Sequence, residues 1–284
     1  MSNIYLTKLI DLENDGLNMA ADGQFVYVRC KRAMYKFNLS DMNQVAHNNI
    51  FKKDGKARGF SICEGSIFLT GFCDLYILNK DDLHIQDTLR LGKDLSSDIL
   101  GALLDSQKVY VAIRNGKMAV VDMVTKIIGN YDITDSSFWD YSIIGNRIYA
   151  GTVRGELVEI DKNSMRVIRK TELCKNKNIY SIMPDDGLLY LVSQDRSIKA
   201  VDLASFGILY TAKKAVGNMA KILGKHKDCL VVADSNKVSF WDIHSLQHRY
   251  TISIPTGAWS KGVVLAGNKL FGSDMQSIYS EELE

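Results

Sequence analysis

Proline is nearly missing from this chain: two in 284 residues, Pro184 and Pro255. Proline cannot donate to a β-ladder, so its scarcity fits a chain rich in strands paired on both sides. Cysteine is sparse too. Cys30, Cys63, Cys73, Cys174 and Cys229 are scattered, and no two form a C-x-x-C pair. That spacing excludes a zinc site of the usual kind. An odd count of scattered thiols reads as free thiols in a reducing cytoplasm. No stretch approaches the roughly eighteen apolar residues of a membrane helix. The start, MSNIYLTKLIDLEND, lacks the basic residues, apolar run and small-residue cleavage site of an export signal. Neither sign of charge dominates: 35 basic and 33 acidic residues give a net of +2. So balanced a chain offers no electrostatic case for bulk binding to nucleic acid or an acidic membrane. No phosphate-cradling G-x-x-x-x-G-K loop, G-x-S-x-G elbow or H-E-x-x-H motif is present. Apolar residues reach 46%, which excludes disorder.

What is there is a repeat. A β-branched or aromatic run ends in an apolar residue, then Asp or Asn, usually followed by a second apolar residue. The anchors are Phe37-Asn38-Leu39, Leu78-Asn79, Val121-Asp122-Met123, Ile160-Asp161, Val201-Asp202-Leu203, Trp241-Asp242-Ile243 and, degraded, Tyr279-Ser280. The steps between them are 41, 43, 39, 41, 40 and 38 residues. A period of about 40–45 residues is that of a four-stranded propeller blade. Within each unit, alternating runs such as Arg147–Val153 and Glu156–Ile160, joined by Arg154-Gly155, read as a hairpin. Asn115-Gly116 suits a tight turn because both residues tolerate positive φ. A strand before and a strand after each hairpin complete four. The expected fold is therefore all-β: a seven-bladed β-propeller, one domain over residues 1–284. The seventh unit ends before a fourth strand, while residues 4–12 alternate like one. They are expected to pair with the strand around Ser277–Tyr279 and close the ring, because an unpaired edge invites aggregation.

The phrase IYAGTVRGELVEIDKNSM resembles the quinoprotein-like and YVTN-type propeller repeats, and Trp241-Asp242 is similar to the Trp-Asp of WD repeats. The resemblance implies architecture. The Gly-His pair common in WD repeats is absent, and three tryptophans are too few for the recurring tryptophan of quinoprotein dehydrogenases.

In such a fold the loops between units share one end, here the top, with the hairpins joining second and third strands. These loops carry eighteen basic and thirteen acidic residues, a net of +5, against −3 for the rest. Phe138-Trp139, Tyr180 and Trp259 stand at the mouths of units. Aromatics beside arginines are common anchors of interfaces. The candidate binding residues are thus Arg58, Trp139, Arg154, Tyr180, Arg196, Trp259 and Lys261. The competing structural reading is that the rings plug the channel or pack between blades, and that the basic loops are a solvated rim. His47, His84, His226, His244 and His248 all map away from the top, which removes the usual acid–base group of neutral-pH catalysis. Asp98, Asp135 and Asp140 are the carboxylates that could replace it. The expectation is a non-catalytic cytoplasmic scaffold for a protein or peptide, with no cofactor, metal, membrane or nucleic acid. The alternative is a small-molecule binder or a hydrolase- or lyase-type enzyme with an anionic ligand in the central funnel.

Overall fold

The structure is a computed structural model that describes residues 7–12, 16–30, 33–50, 59–71, 73–92, 99–254, 260–274 and 276–283. The first strand, β1 (Thr7–Asp11), is followed by blade 1: β2 (Gly16–Ala21), β3 (Phe25–Cys30), β4 (Met34–Asn38) and β5 (Gln44–Asn48). Blade 2 is β6 (Gly59–Cys63), β7 (Ser66–Thr70), β8 (Asp74–Asn79) and β9 (Ile85–Arg90). Blade 3 is β10 (Ile99–Asp105), β11 (Lys108–Ile113), β12 (Lys117–Asp122) and β13 (Ile128–Asp132). Blade 4 is β14 (Phe138–Ile144), β15 (Arg147–Thr152), β16 (Glu156–Asp161) and β17 (Val167–Glu172). Blade 5 is β18 (Ile179–Asp185), β19 (Leu188–Ser193), β20 (Ile198–Asp202) and β21 (Ile208–Ala212). Blade 6 is β22 (Lys221–His226), β23 (Cys229–Ala233), β24 (Lys237–Asp242) and β25 (His248–Ser253). Blade 7 holds β26 (Val263–Ala266), β27 (Lys269–Ser273) and β28 (Ser277–Glu282). Its fourth strand is β1, so the order is β1-β28-β27-β26, and every blade is a four-stranded antiparallel sheet. This is a seven-bladed β-propeller.

The chain partitions into two compact units. One comprises Met1–Leu69, Tyr76–Thr88 and Leu223–Glu284 and holds blades 1 and 7 and most of blades 2 and 6. The other comprises Thr70–Leu75 and Leu89–Ile222 and holds blades 3, 4 and 5. In both, the second and third strands read as near-continuous apolar runs, buried against neighbouring blades of the same unit. In the first unit Val26, Val28, Tyr35 and Phe37 of blade 1 pack with Phe271 and Ile278 of blade 7. In the second, Ile148, Val158 and Ile160 of blade 4 meet Tyr110 and Met118 of blade 3, while Leu157 meets Leu189 and Leu191 of blade 5.

The repeated Asp or Asn has a definite job. The Asp161 carboxylate accepts the amides of Asn163 (3.2 Å) and Ser164 (2.8 Å), and the Met165 amide returns to the Asp161 carbonyl at 2.8 Å. The same return bond joins Met42 to Asn38, Leu83 to Asn79, Lys126 to Asp122, Phe206 to Asp202 and Leu246 to Asp242. Only a short side chain with an acceptor can make this turn. It leaves the fourth residue after each anchor left-handed: Met42, Leu83, Lys126, Met165, Phe206 and Leu246 have φ between 54° and 63°. A side chain there is strained by about 1–2 kcal/mol. Burial of Leu83, Met165, Phe206 and Leu246 offsets it.

The seventh anchor corrects the sequence expectation. Leu283 donates to the Asn268 carbonyl as Ile243 does to Asp228, so Glu282 holds the anchor position and not Ser280. Its longer side chain instead accepts from Asn268 Nδ2 at 3.1 Å.

The expected closing strand is present. Thr7, Lys8, Ile10 and Asp11 stand opposite Ser280, Tyr279, Ile278 and Ser277. The Leu12 amide donates to the Gln276 carbonyl at 2.6 Å, the bond that Ile254 makes to Asn236 in blade 6 and Leu91 to Cys73 in blade 2. Residues 4–6 of the expected strand lie outside the described residues.

Candidate functional site

The top of blades 4 and 5, within the second unit, is built from hairpin turns that hold the inter-blade loops by their backbone. The Gly155 carbonyl accepts the amides of Leu173 (2.9 Å) and Cys174 (3.0 Å), and the Arg196 carbonyl accepts those of Ala215 (2.8 Å) and Val216 (3.4 Å). Gly116 does the same for Ile133 and Thr134 in blade 3. These turns need positive φ: 71° at Gly116, 83° at Gly155 and 66° at Arg196. Asn115 and Gly116 both take positive φ, as the sequence predicts. At Gly155 the requirement is absolute, since a Cβ would lie 1.7 Å from the Cys174 carbonyl oxygen.

Held this way, the loops enter the first strands at a β-bulge. Pairing skips a residue between Ile99 and Gly101, between Phe138 and Asp140, and between Ile179 and Ser181, and in the other unit between Gly16 and Asn18. A bulge re-aims its extra side chain. The extra residues in blades 4 and 5 are Trp139 and Tyr180, whose rings meet edge to face at 5.3 Å and 64°. Trp139 is 36% exposed while its neighbour Phe138 is buried in the core. Tyr180 is largely buried, and its hydroxyl takes a bond from the Met219 backbone. Burial raises the Tyr180 pKa more than that bond lowers it. Met219 itself is 40% exposed, with φ of 56°. Trp139 and Tyr180 therefore form a small apolar platform, to which the exposed Met219 is joined through its backbone.

Arg154 is exposed and pairs with Asp135 at 2.5 Å. The guanidinium's hydrogen bond holds the Asp135 carboxyl below its ordinary pKa. Arg196 is exposed, its Nε donating to the Val216 carbonyl at 3.3 Å. Lys261 is exposed in a single 3-10 turn, Ser260–Gly262, of the first unit. Arg58 and Trp259 lie outside the described residues, as does Asp98. The other two candidate carboxylates are committed. Asp135 is in its ion pair. Asp140 accepts the amides of Ile182 (2.9 Å) and Tyr141 (3.0 Å), fastening blade 4 to blade 5. Burial raises the Asp140 pKa; the bonds from Ile182 and Ser181 and the field of Lys221 offset this only in part.

Blade 5 also holds a buried polar cluster that sequence reading missed. The Lys199 ammonium contacts Asp195 Oδ2 (2.7 Å), Cys174 Sγ (3.3 Å), Ser193 Oγ (3.5 Å) and the Ser197 hydroxyl. Both serine hydroxyls donate to Asp195 Oδ1 at 2.5 Å. Burial raises the Asp195 pKa, but the bonds from Lys199, Ser193 and Ser197 outweigh it and hold the group at about 2. Burial pushes the Cys174 thiol up. With both serine protons already given to a carboxylate, and the thiol protonated, the cluster locks the hairpin and holds no poised nucleophile. The alternation Ser193, Asp195, Ser197, Lys199 was the available signal: four polar residues two apart, where a strand entering a core should be apolar.

No family model and no curated protein matches the chain. Solved structures do. The WD40 domain of Pan2 from Neurospora crassa superposes with a TM-score of 0.75 over 100% of this chain and 97% of its own, at 11% identity. The β-propeller domain of Cps50 (Swd1) from Myceliophteria thermophila gives 0.78 over 98% and 99%, at 13% identity. The computationally designed protein Ika8 gives 0.72 over 98% and 100%, at 10% identity. At such identities the likeness concerns the fold.

Proposed function

We propose that this chain is a non-catalytic scaffold, a single propeller domain working in the cytoplasm, that binds a protein or peptide on the top of its blades. The observation that carries this reading is Trp139. It is a large aromatic ring, more than a third exposed, placed there by a bulge and braced by Tyr180. Burying such a ring in a packed core would use its area for folding; holding it out on rigid backbone keeps that area for a partner. Among the described residues none of the five cysteines is in a disulfide, in keeping with a reducing compartment.

The test is selection of twelve-residue peptides from a random display library on immobilised wild-type protein, each recovered clone being re-measured on Trp139→Ala. Clones are expected whose affinity falls about tenfold or more on Trp139→Ala, the usual loss at an aromatic hot spot. Binding indifferent to the substitution in every clone removes this face from consideration. Matching melting temperatures of the two proteins ensure that a lost clone reports a lost contact.

A further inference from the structure

We infer that the partner is an acidic peptide, an extended segment that seats one large apolar side chain on Trp139, Tyr180 and Met219 and turns its carboxylates toward the lysines of the two flanking loops. This rests on the scaffold reading and adds the chemistry of what is bound.

The charge on the two loops beside Tyr180 and Met219 is one-sided, whereas the loop into Trp139 carries Asp135, paired with Arg154. The loop into Tyr180, residues 173–178, carries Lys175 and Lys177 and no acid. The loop that delivers Met219, residues 213–219, carries Lys213 and Lys214 and no acid. All four lysines are exposed. Among the described residues none of the four makes an ion pair, whereas nearby cations are spoken for: Arg154 by Asp135, Lys170 by Glu156, Lys199 by Asp195 and Lys117 by Asp132. Exposed Arg196, whose side chain reaches the Val216 carbonyl, adds a fifth positive charge to the same sector. Glu172, at the end of β17, is the acid next to the first loop in sequence. Four like charges on short loops repel, and a folded chain gains nothing by collecting them unless an anion relieves the repulsion.

The loops are also tied down by their backbone. Their backbone is tied to Gly155 and Arg196, the Lys177 amide returns to Cys174 at 2.9 Å, and Asn176 and Lys214 sit at φ of 51° and 53°. Cations held on a fixed backbone beside an apolar platform present a peptide with an anchor and a set of charges at fixed spacing. That combination favours a segment with both an apolar side chain and carboxylates over a bare polyanion, which would use the lysines and ignore Trp139.

The same selection tests this with a second bait, the charge-reversed Lys175→Glu/Lys177→Glu/Lys213→Glu/Lys214→Glu protein. All four positions are exposed, and unchanged circular dichroism and melting temperature establish that the bait is folded. Wild type is expected to enrich clones rich in Asp and Glu around one Leu, Phe or Trp. Their affinity should fall at least tenfold on charge reversal and weaken as salt rises from about 50 to 500 mM, because exposed charges are screened. Clones that need Trp139 but show no acidic bias and no response to charge reversal overturn the acidic partner and leave the scaffold standing. Absence of any Trp139-dependent clone overturns both. Oligothymidylate and phosphatidylserine vesicles are the remaining probes. Binding of either that charge reversal abolishes and Trp139→Ala leaves intact would assign the lysines to a general polyanion and overturn the peptide.

Discussion

Replacing Lys199 with Met tests whether its buried cluster holds the blade 5 hairpin through charge. Methionine keeps most of the stem's volume and removes the ammonium, leaving Asp195 with its two serine partners. A carboxyl held at about 2 against an ordinary 3.8 stabilises the folded chain by about 2.5 kcal/mol at neutral pH if water is kept out. The Asp195 side chain is 34% exposed, so screening reduces the expected loss to roughly 1–2 kcal/mol. In a protein of this size that is a fall in melting temperature of roughly 2–8 °C. Asp195→Asn should cost more, about 3 kcal/mol, because it strands a lysine whose side chain is only 7% exposed. The double variant should lose less than the sum of the two. The pH dependence has a definite sign. A carboxyl whose folded pKa is depressed stabilises fully above its unfolded pKa and ceases to as pH falls through its folded one. The gap between wild type and Lys199→Met should thus be flat from pH 7 to about 5 and shrink by about half at pH 3. Thermal melts followed by circular dichroism measure it. A gap unchanged between pH 6 and 3, or strictly additive substitutions, would refute the charge-based account.

Two further predictions concern how the blades are built. Gly155→Ala drives a methyl group into the Cys174 carbonyl in a left-handed turn and should cost several kcal/mol, while Gly65→Ala, also left-handed but with nothing within 4 Å, should cost only about 1 kcal/mol. Chemical denaturation of the pair measures the difference, and equal losses would contradict the close approach. Deleting residues 1–12 removes the strand that covers β28 and should lower the melting temperature by about 10 °C or more, with new aggregation through the bared edge. An unchanged melting temperature would sink the claim that β1 completes blade 7.

The fold was legible because its turns are chemically demanding. A side chain that must accept two backbone amides two and three residues ahead has to be Asp or Asn, so the turn prints itself at every period. Where the demand lapses, as at Glu282, the eye slides to Ser280. The site was legible only in part. Trp139 and Tyr180 stood out as aromatics at blade entrances, but the bulges that aim them require no residue type and leave no mark in the sequence. Arg154, a candidate binding residue in the sequence, is paired with Asp135 on the preceding loop, nineteen positions away. The Lys199 cluster went unseen because its charge lies in a strand that otherwise reads as core.

The pairing of Thr7 with Ser280 has a consequence for how the protein comes to exist. β1 precedes every blade in the chain, and its partner β28 is the last of the described strands. Until β28 has been made, β1 has no strand of its own blade to pair with. Among the described residues the pairing that completes blade 7 thus joins the strands most distant in sequence. Every other blade can form from segments adjacent in the chain, whereas the seventh depends on a strand made before all of them.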